Sequence, residues 1–197
     1  TLVSKAEYQK KDNKKDSQYE MLKKYELNDK DFIILHEYAK NLNIDFISTA
    51  VDTISLRFLI SKLKLKTIKI GSSDLTNIQL LLKAGRTKKN IIISCGLANI
   101  DNIDIALSAL CYGYVNKDFN FNYKRDQKLY LKHDKYLSTK VSLLHCTTDY
   151  PALIDELNLN VIHIFLIFIS RKKNCYMAIL ISNSKRFYNY IFNFYFF

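Results

Sequence analysis

Residues 67–94 read TIKIGSSDLTNIQLLLKAGRTKKNIIIS, and this stretch decides the fold. The apolar run Thr67–Ile70 predicts a strand. Asn90–Ser94 is a near-continuous β-branched run, which is typical of a strand buried on both faces of a parallel sheet. Between them, leucines recur at helical spacing in a helix that we expect Thr76 to open and Gly85 to end. The stretch therefore predicts a β-α-β unit.

The same alternation continues toward the N-terminus. Asn28, with Asp31 at the third position of the helix, predicts a capped helix. The segment 45–49 (DFIST) predicts a short strand, and either Asp52 or Thr53 is expected to cap the helix that follows it. These signals add one strand and two helices to the central unit.

Toward the C-terminus, a helix is expected over 101–112 and ends at Gly113, and the strand Val141–Leu144 follows a polar connection over 114–139. This alternation predicts an α/β fold with a parallel sheet, either doubly wound or a barrel. All four predicted strands end in small or polar groups, and in a barrel such strand ends converge on one rim. The strand ends therefore favour the (β/α)8 TIM barrel over the doubly wound sheet, although only four clear units are found where a full barrel has eight.

The chain changes character after residue 160. Residues 161–197 are crowded with Phe, Tyr, Ile and Asn, lack clear caps and turns, and break the β/α rhythm. We expect a partial TIM-barrel domain over 1–160 and a divergent, irregular tail over 161–197. The tail is interpreted as not native to the domain, for instance as the out-of-frame end of a truncated gene.

The chain is strongly basic. Its 197 residues are 48% hydrophobic, enough for one domain with a core, and its 30 Lys and Arg against 19 Asp and Glu give a net charge of +11. Such a charge attracts phosphates, anionic metabolites or nucleic acid. The lysines are scattered, which favours a solvated basic surface, and the aromatic residues form no recognisable nucleic-acid motif with them. A basic nucleic-acid-binding module is kept as an alternative, and it predicts salt-sensitive binding.

The cysteines and histidines indicate no complete metal site. The four cysteines have no CxxC spacing, and no two histidines stand at metal-ligand spacing. Small buried thiols in a reducing cytosol are the favoured interpretation. No apolar run has the roughly 18 to 20 residues that a membrane span needs, so a cytoplasmic protein without a membrane partner is expected.

The strongest chemical signal lies at the end of the first strand of the central unit. Lys69 has an apolar neighbour on either side, and a lysine inside a barrel strand is costly to bury unless an anion meets it. With Gly71 and the hydroxyls of Ser72 and Ser73 just beyond, this pattern predicts a phosphate or carboxylate site. Asp74 offers a carboxylate for sugar hydroxyls or proton transfer. The alternative is a lysine on an exposed strand face.

Three further strand ends carry polar groups whose roles the sequence leaves open. Ser48 and Thr49 present hydroxyls to the same rim, although they serve equally well to cap the next loop. Ser94, Cys95 and Gly96 can form a tight turn and nothing more. His145 ends an apolar strand, and we expect it to be a packed, hydrogen-bonded structural residue rather than a base or a metal ligand.

Five motifs in order resemble the sialic acid synthase family, which makes N-acetylneuraminic acid and related nonulosonic acids. They are YEMLKKYEL (19–27), DFISTAVD (45–52), IKIGSSDLTN (68–77), IIISCGLA (91–98) and LLHCTTDYPA (143–152). The resemblance covers about residues 1–160. It implies strands three to six of a (β/α)8 barrel, which in the family is followed by an antifreeze-like domain that completes the site of a dimeric partner.

The resemblance implies an N-acetylneuraminate synthase-type transferase. The reaction condenses phosphoenolpyruvate with N-acetylmannosamine, or a related N-acyl sugar, and releases phosphate. Legionaminic or pseudaminic acid synthesis is the alternative within the family. The family requires a divalent metal, Mn²⁺ or Mg²⁺, whose histidine ligands are not found in this chain. The implied partners are these small molecules and a second subunit, with no nucleic acid, and this chain is expected to be inactive alone.

The resemblance also assigns site residues by motif. The positions that match the family's phosphoenolpyruvate site are Thr49, Lys69, Ser72 and Thr148. Asp74 stands where the family usually has a sugar-binding glutamate, and Tyr150 matches a tyrosine that contacts the sugar. Cys95 replaces a threonine of the family motif. These two departures from the family motifs, at Asp74 and Cys95, bear on the choice of sugar and on full activity.

Overall fold

The computed structural model describes residues 17–127, 129–133, 140–147, 157–162 and 177–179. The chain divides into two compact units between Phe46 and Ile47, and each unit is described by itself.

The first unit contains two capped helices. Helix α1 (Gln18–Lys24) begins after Ser17, which forms a capping box with Glu20. Helix α2 (Asp29–Asn41) begins after Asn28, whose side-chain oxygen accepts hydrogen bonds from the backbone N–H groups of Lys30 and Asp31. In return, the Asp31 carboxylate accepts a hydrogen bond from the Asn28 N–H. The predicted cap is therefore confirmed. Neither helix contains a buried residue.

The second unit alternates strands and helices as predicted. In chain order its elements are β1 (Thr49–Ala50), α3 (Thr53–Ser61), β2 (Thr67–Ile70), a 3-10 turn (Ser72–Asp74), α4 (Ile78–Arg86), β3 (Asn90–Ser94), α5 (Ile100–Val115), the short helices α6 (Tyr123–Asp126) and α7 (Leu129–Lys132), β4 (Val141–His145) and β5 (Met177–Ile179). Asp52 is the N-cap of α3.

The five strands form one parallel sheet whose spatial order is the chain order, β1-β2-β3-β4-β5. This confirms an α/β fold with a parallel sheet. Side chains alternate between the two faces of the sheet. One face carries fully buried residues such as Ile68, Ile70 and Ile93, and buried residues of α4 and α5, including Leu80 and Leu107, complete the core.

The second face of the sheet is less covered than the sequence predicts. Lys69 is paired with Ile92, and Ile92 with Ser142, so the three side chains share this face. All three are half-buried. The expectation that β3 is buried on both faces is therefore wrong for Ile92, because its side of the sheet is only partly covered within the described residues.

Four element boundaries differ from the sequence prediction. Strand β1 (Thr49–Ala50) shares only Thr49 with the strand predicted over 45–49, and it has a described partner on one side only. Helix α4 is capped by Asn77 rather than Thr76, since the asparagine oxygen accepts the Leu80 N–H at 3.1 Å. The glycines Gly85 and Gly113 do not end their helices but lie inside α4 and α5.

Residues 161–197, which differ in composition from the rest of the chain, contribute one described strand. Strand β5 pairs in parallel with β4, with Leu143 opposite Met177 and His145 opposite Ile179. Residues 163–176 and 180–197 lie outside the described residues, so the foreign origin of 161–197 stays a prediction. Within the described ranges, none of the helices has the length and apolarity that a membrane crossing requires.

Candidate functional site

The candidate site begins with two side chains on neighbouring strands. Thr49 of β1 and Lys69 of β2 are paired residues in the parallel ladder, and the Lys69 N–H donates to the Ser48 carbonyl at 3.2 Å. Paired residues of adjacent strands project to the same face of a sheet. The side chains of Thr49 and Lys69 are therefore adjacent on the half-buried face.

The turn after β2 brings a carboxylate and a second hydroxyl to Thr49. A β-carbon built on Gly71 would lie 3.4 Å from Asp74 Oδ2, 3.5 Å from Ser73 Oγ and 3.7 Å from the Thr49 methyl group. The Ser73 hydroxyl donates to Asp74 Oδ2 at 3.1 Å. Three polar side chains thus surround one glycine at the carboxyl end of β2, where a larger residue would fill the space between them.

The turn itself is fixed by backbone hydrogen bonds. The Asp74 N–H donates to the Gly71 carbonyl at 3.1 Å, and the Asn77 N–H donates to the Asp74 carbonyl at 3.0 Å. Ser72 occupies the first position of this 3-10 turn and is half-buried. The turn places Asp74 back toward Gly71 instead of out into solvent, which explains how a short carboxylate reaches the strand end.

Lys69 is the unusual group of the site. Its neighbours Ile68 and Ile70 are fully buried on the other face, while Lys69 is half-buried. None of the ion pairs among the described residues includes Lys69. A half-buried lysine that forms no ion pair with a described carboxylate favours an anionic ligand, because an anion offsets the free energy of removing the charge from water.

The ends of β3 and β4 form a second polar edge. A β-carbon on Gly96 would lie 2.9 Å from the Thr147 carbonyl oxygen and 3.1 Å from that of Cys146. Glycine is therefore required for the two strand ends to approach each other. Next to this contact is a cleft of about 520 Å³, lined by Cys95, Gly96, Ala98, Asn99, Ile100, Asp101, His145, Cys146 and Val161.

His145 and Cys95 are placed as structural groups in this cleft. Burial lowers the pKa of His145, and a hydrogen bond to the backbone of Asn158 opposes that effect. Burial, with a smaller effect of Cys146, raises the pKa of the Cys95 thiol to about 12. A histidine that is mostly neutral and a thiol that stays protonated both support packing roles at neutral pH.

The structure groups four of the six predicted site residues near one edge of the sheet. Thr49, Lys69, Ser72 and Asp74 lie at or near the carboxyl ends of β1 and β2. The other two, Thr148 and Tyr150, lie outside the described residues. Sequence reasoning missed the bond from Ser73 to Asp74. The only signal for it was the adjacency of a hydroxyl and a carboxylate in a turn.

The described residues do not supply a metal site. No group of three or more His, Cys, Asp or Glu side chains within them is arranged to hold a metal ion. The carboxylate of Asp74, with hydroxyl neighbours, is a hydrogen-bonding group for a polyol, and by itself it is an incomplete ligand set for a divalent cation.

Comparison with known proteins gives one family. Residues 1–166 match the model of the NeuB family. An N,N'-diacetyllegionaminic acid synthase of Legionella pneumophila is 37% identical over 158 residues, which is 80% of this chain and 39% of that protein. The corresponding synthase of Campylobacter jejuni is 37% identical over 160 residues, 81% of this chain and 41% of its own length. The chain thus spans about two fifths of these relatives.

A solved structure agrees with the fold. The crystal structure of an N-acetylneuraminic acid synthetase from Leptospira borgpetersenii superposes with a TM-score of 0.63 at 24% identity. The match covers 88% of this chain and 50% of that one.

Proposed function

Because the chain belongs to the NeuB family, we propose that it carries the phosphoenolpyruvate subsite of a nonulosonic acid synthase. In this reaction the enol carbon of phosphoenolpyruvate attacks the aldehyde carbon of an N-acylated amino sugar, and phosphate is released. The observation that carries the proposal is Lys69, a half-buried lysine paired with Thr49 across the ladder that forms no ion pair with a described carboxylate.

Phosphoenolpyruvate presents two anionic groups, a phosphate and a carboxylate. The ammonium of Lys69 binds one of them as a point charge, and the hydroxyls of Thr49 and Ser72 donate hydrogen bonds to its oxygens. Thr148, which follows β4 in the sequence, is proposed as a further hydroxyl ligand. Fixed donors of this kind hold the reacting enol in position and stabilise the negative charge that develops on the departing phosphate.

Asp74 and Tyr150 are proposed to bind the sugar. The Asp74 carboxylate is held at the strand end by the Ser73 hydroxyl, and its remaining acceptor capacity faces the site. Because an aspartate reaches one methylene less far than a glutamate, the sugar hydroxyl that it binds must lie correspondingly closer to the β2 end. Asp74 is therefore a determinant of which sugar fits.

The partial (β/α)8 barrel is proposed from the topology. The strand order follows the chain order without reversal, whereas a doubly wound sheet reverses direction at a switch point. The half-buried second face of the sheet, with Thr49, Lys69 and Ser142, is then the face that a closed barrel turns inward. Residues 161–197 are proposed to be foreign to this domain.

For the complete synthase we propose a cytoplasmic homodimer that uses Mn²⁺ or Mg²⁺. The described residues do not provide the ligands, so no step is assigned to the metal here. This chain alone is proposed to be inactive, since it spans about two fifths of the relatives at 37% identity.

The sugar is either N-acetylmannosamine or a 6-deoxy-diacetamido sugar of the legionaminic or pseudaminic type. Two relatives bear the name N,N'-diacetyllegionaminic acid synthase, which supports the diacetamido sugar.

A phosphate-release assay tests the function. The full chain is incubated with phosphoenolpyruvate, Mn²⁺ and each sugar in turn, with Lys69→Ala as the matched variant. We expect no release above background from the chain alone. Robust release that Lys69→Ala abolishes would overturn the inactivity and support the reaction. If the chain neither released phosphate nor bound phosphoenolpyruvate saturably, the proposed function would be overturned.

A further inference from the structure

Five lysines form a basic surface at the edge of the sheet opposite the candidate site. The loop before β2 contains Lys62, Lys64 and Lys66, and the loop before β3 contains Lys88 and Lys89. We refer to these five residues as the lysine edge. In a parallel sheet the loops that enter the strands all lie at the amino ends, whereas the candidate site lies at the carboxyl ends.

The two loops are in direct contact. Strands β2 and β3 are hydrogen-bonded neighbours that pair Thr67 with Asn90. The Asn90 N–H also donates to the Lys66 carbonyl oxygen at 3.1 Å. This bond places the end of one lysine-bearing loop beside the end of the other, so the five lysines lie on two adjacent loops.

In the first loop the leucines are buried and the lysines are exposed. Leu63 and Leu65 are 4% and 3% exposed, while the lysines on either side of each are exposed. The leucines therefore anchor the loop in the core and leave the charges in solvent. None of the ion pairs among the described residues includes a lysine of the patch.

The two lysine-bearing loops contain no acidic residue that could neutralise the positive charge of the patch. The segments 61–70 and 86–94 contain no Asp or Glu. Asp118, in the connection after α5, accepts hydrogen bonds from the Tyr112 hydroxyl and the Asn120 N–H, and it interacts with Arg86. Like charges in one patch repel each other at low ionic strength, and a polyanion removes that repulsion.

At two of these positions the backbone conformation is unfavourable for lysine. Lys64 and Lys88 both have φ of 55°, a left-handed conformation that glycine or asparagine adopts at lower cost. Each residue follows the end of a helix, α3 or α4, where glycine is the usual choice. The charge, not the local conformation, is thus the property that lysine supplies at both loops.

We propose that the lysine edge binds the phosphate backbone of duplex nucleic acid, without reading its sequence. The two loops contain no aromatic side chain for stacking on unpaired bases, which argues against a single strand. Their leucines are buried, so they provide no apolar group to enter a lipid surface, where charge alone binds weakly. Point charges on flexible stems match phosphate contacts. The proposal is independent of the proposed synthase function.

Fluorescence anisotropy with a labelled 20-base-pair DNA duplex tests this proposal on the full chain. A salt titration should give a log–log slope of about −4 to −5, since each of five phosphate contacts contributes roughly −0.9. The double variant Lys64→Gly and Lys88→Gly should reduce the slope by about 2 and weaken binding at least about fivefold at 0.1 M salt. The same variant should raise the urea midpoint of unfolding, so a loss of binding cannot be attributed to misfolding.

The matched control removes two lysines from the first unit, as Lys24→Gln and Lys30→Gln. It should leave the slope within about 1 of the parent value. Equal losses in the control and the double variant would overturn the proposal, because net charge would then explain the binding. Binding to vesicles that contain phosphatidylserine, with no measurable binding to the duplex, would also overturn it.

Discussion

Gly85 of α4 lies against Gly113 of α5, and the two helices touch through their backbones. A β-carbon on Gly85 would lie 3.2 Å from the Gly113 Cα and 2.3 Å from the Leu110 carbonyl oxygen. A β-carbon on Gly113 would lie 2.3 Å from the Leu82 carbonyl oxygen. Such distances are far below van der Waals contact, so each glycine is required by its neighbour across the helix interface.

Replacement of either glycine by alanine should therefore destabilise the fold. Gly85→Ala or Gly113→Ala should lower the free energy of unfolding by about 2 to 3 kcal/mol, since the clash with a backbone carbonyl exceeds the gain of about 1 kcal/mol in helix propensity. Urea unfolding followed by circular dichroism measures the change. The exposed position Gln79 on α4 serves as a control, because Gln79→Ala adds no contact. An unchanged midpoint in both glycine variants would contradict the close approach.

The buried carboxylate of Asp104 in α5 forms hydrogen bonds with the segment that follows this helix. Asp104 is 2% exposed, and it accepts the Tyr123 hydroxyl at 2.6 Å and the Tyr130 hydroxyl on its other oxygen. Asp104→Ala should cost about 3 kcal/mol of unfolding free energy, because it breaks two bonds to a charged acceptor. Tyr123→Phe should cost about 1 to 2 kcal/mol, since one bond remains.

The control for this cluster is Tyr19→Phe in α1, where the side chain is 55% exposed. Its effect on urea unfolding should stay within about 0.5 kcal/mol. If Asp104→Ala cost no more than this control, the carboxylate would have no role in holding α6 and α7.

The N-cap of α3 should make stability depend on pH. Asp52 accepts the Ser55 N–H at 2.6 Å and the Ile54 N–H at 2.8 Å, and these bonds, those with Ser55 foremost, hold its pKa below the ordinary value. Its folded pKa is lower than its unfolded pKa of about 3.9. The stability from this cap is therefore fully present above that value and is lost as the pH falls through the folded pKa.

The cost of Asp52→Ala should accordingly shrink with acid. Urea unfolding should give a loss of about 1 kcal/mol at pH 6 and a smaller loss at pH 2.5. Asp52→Asn keeps a capping side chain that does not titrate, so its stability should fall less over the same range. An equal cost of Asp52→Ala at both pH values would show that the carboxylate form of the cap contributes nothing.

The cysteines should differ in reactivity. Burial raises the pKa values of Cys95 and Cys111 to about 12, which at pH 8 leaves about one thiolate in 10⁴. Cys146 is half-buried and borders the open cleft. Iodoacetamide at pH 8 should modify Cys146 at least about tenfold faster than either buried thiol, as measured by peptide mass spectrometry. In concentrated urea the difference should vanish; its persistence there would rule out burial as the cause.

Local signals in the sequence predicted local structure well. The caps at Asn28 and Asp52 were predictable because a capping side chain bonds to the N–H groups two or three residues ahead, within the same short segment. Lys69 stood out for a similar reason, since one charged residue interrupts a buried strand. The family resemblance was carried by motifs of this kind and is confirmed by the family match.

Contacts between distant segments were not predictable in the same way. The sequence does not distinguish a glycine that ends a helix from a glycine that allows a second helix to approach closely. Gly85 and Gly113 were therefore assigned the wrong role. The exposure of Ile92 depends on what covers the second face of the sheet, which β3 itself does not encode. The contact of Gly71 with Thr49 likewise needed the register between β1 and β2.

The central claim is that Lys69 holds an anionic group of phosphoenolpyruvate. Isothermal titration calorimetry of phosphoenolpyruvate into the full chain tests it most directly, with Lys69→Gln as the variant and Lys66→Gln as the control that removes the same charge from the opposite edge of the sheet. Saturable binding that Lys69→Gln weakens at least about tenfold, a loss of about 1.4 kcal/mol, and that Lys66→Gln leaves unchanged is the predicted result. Equal affinity in the two variants would contradict the claim.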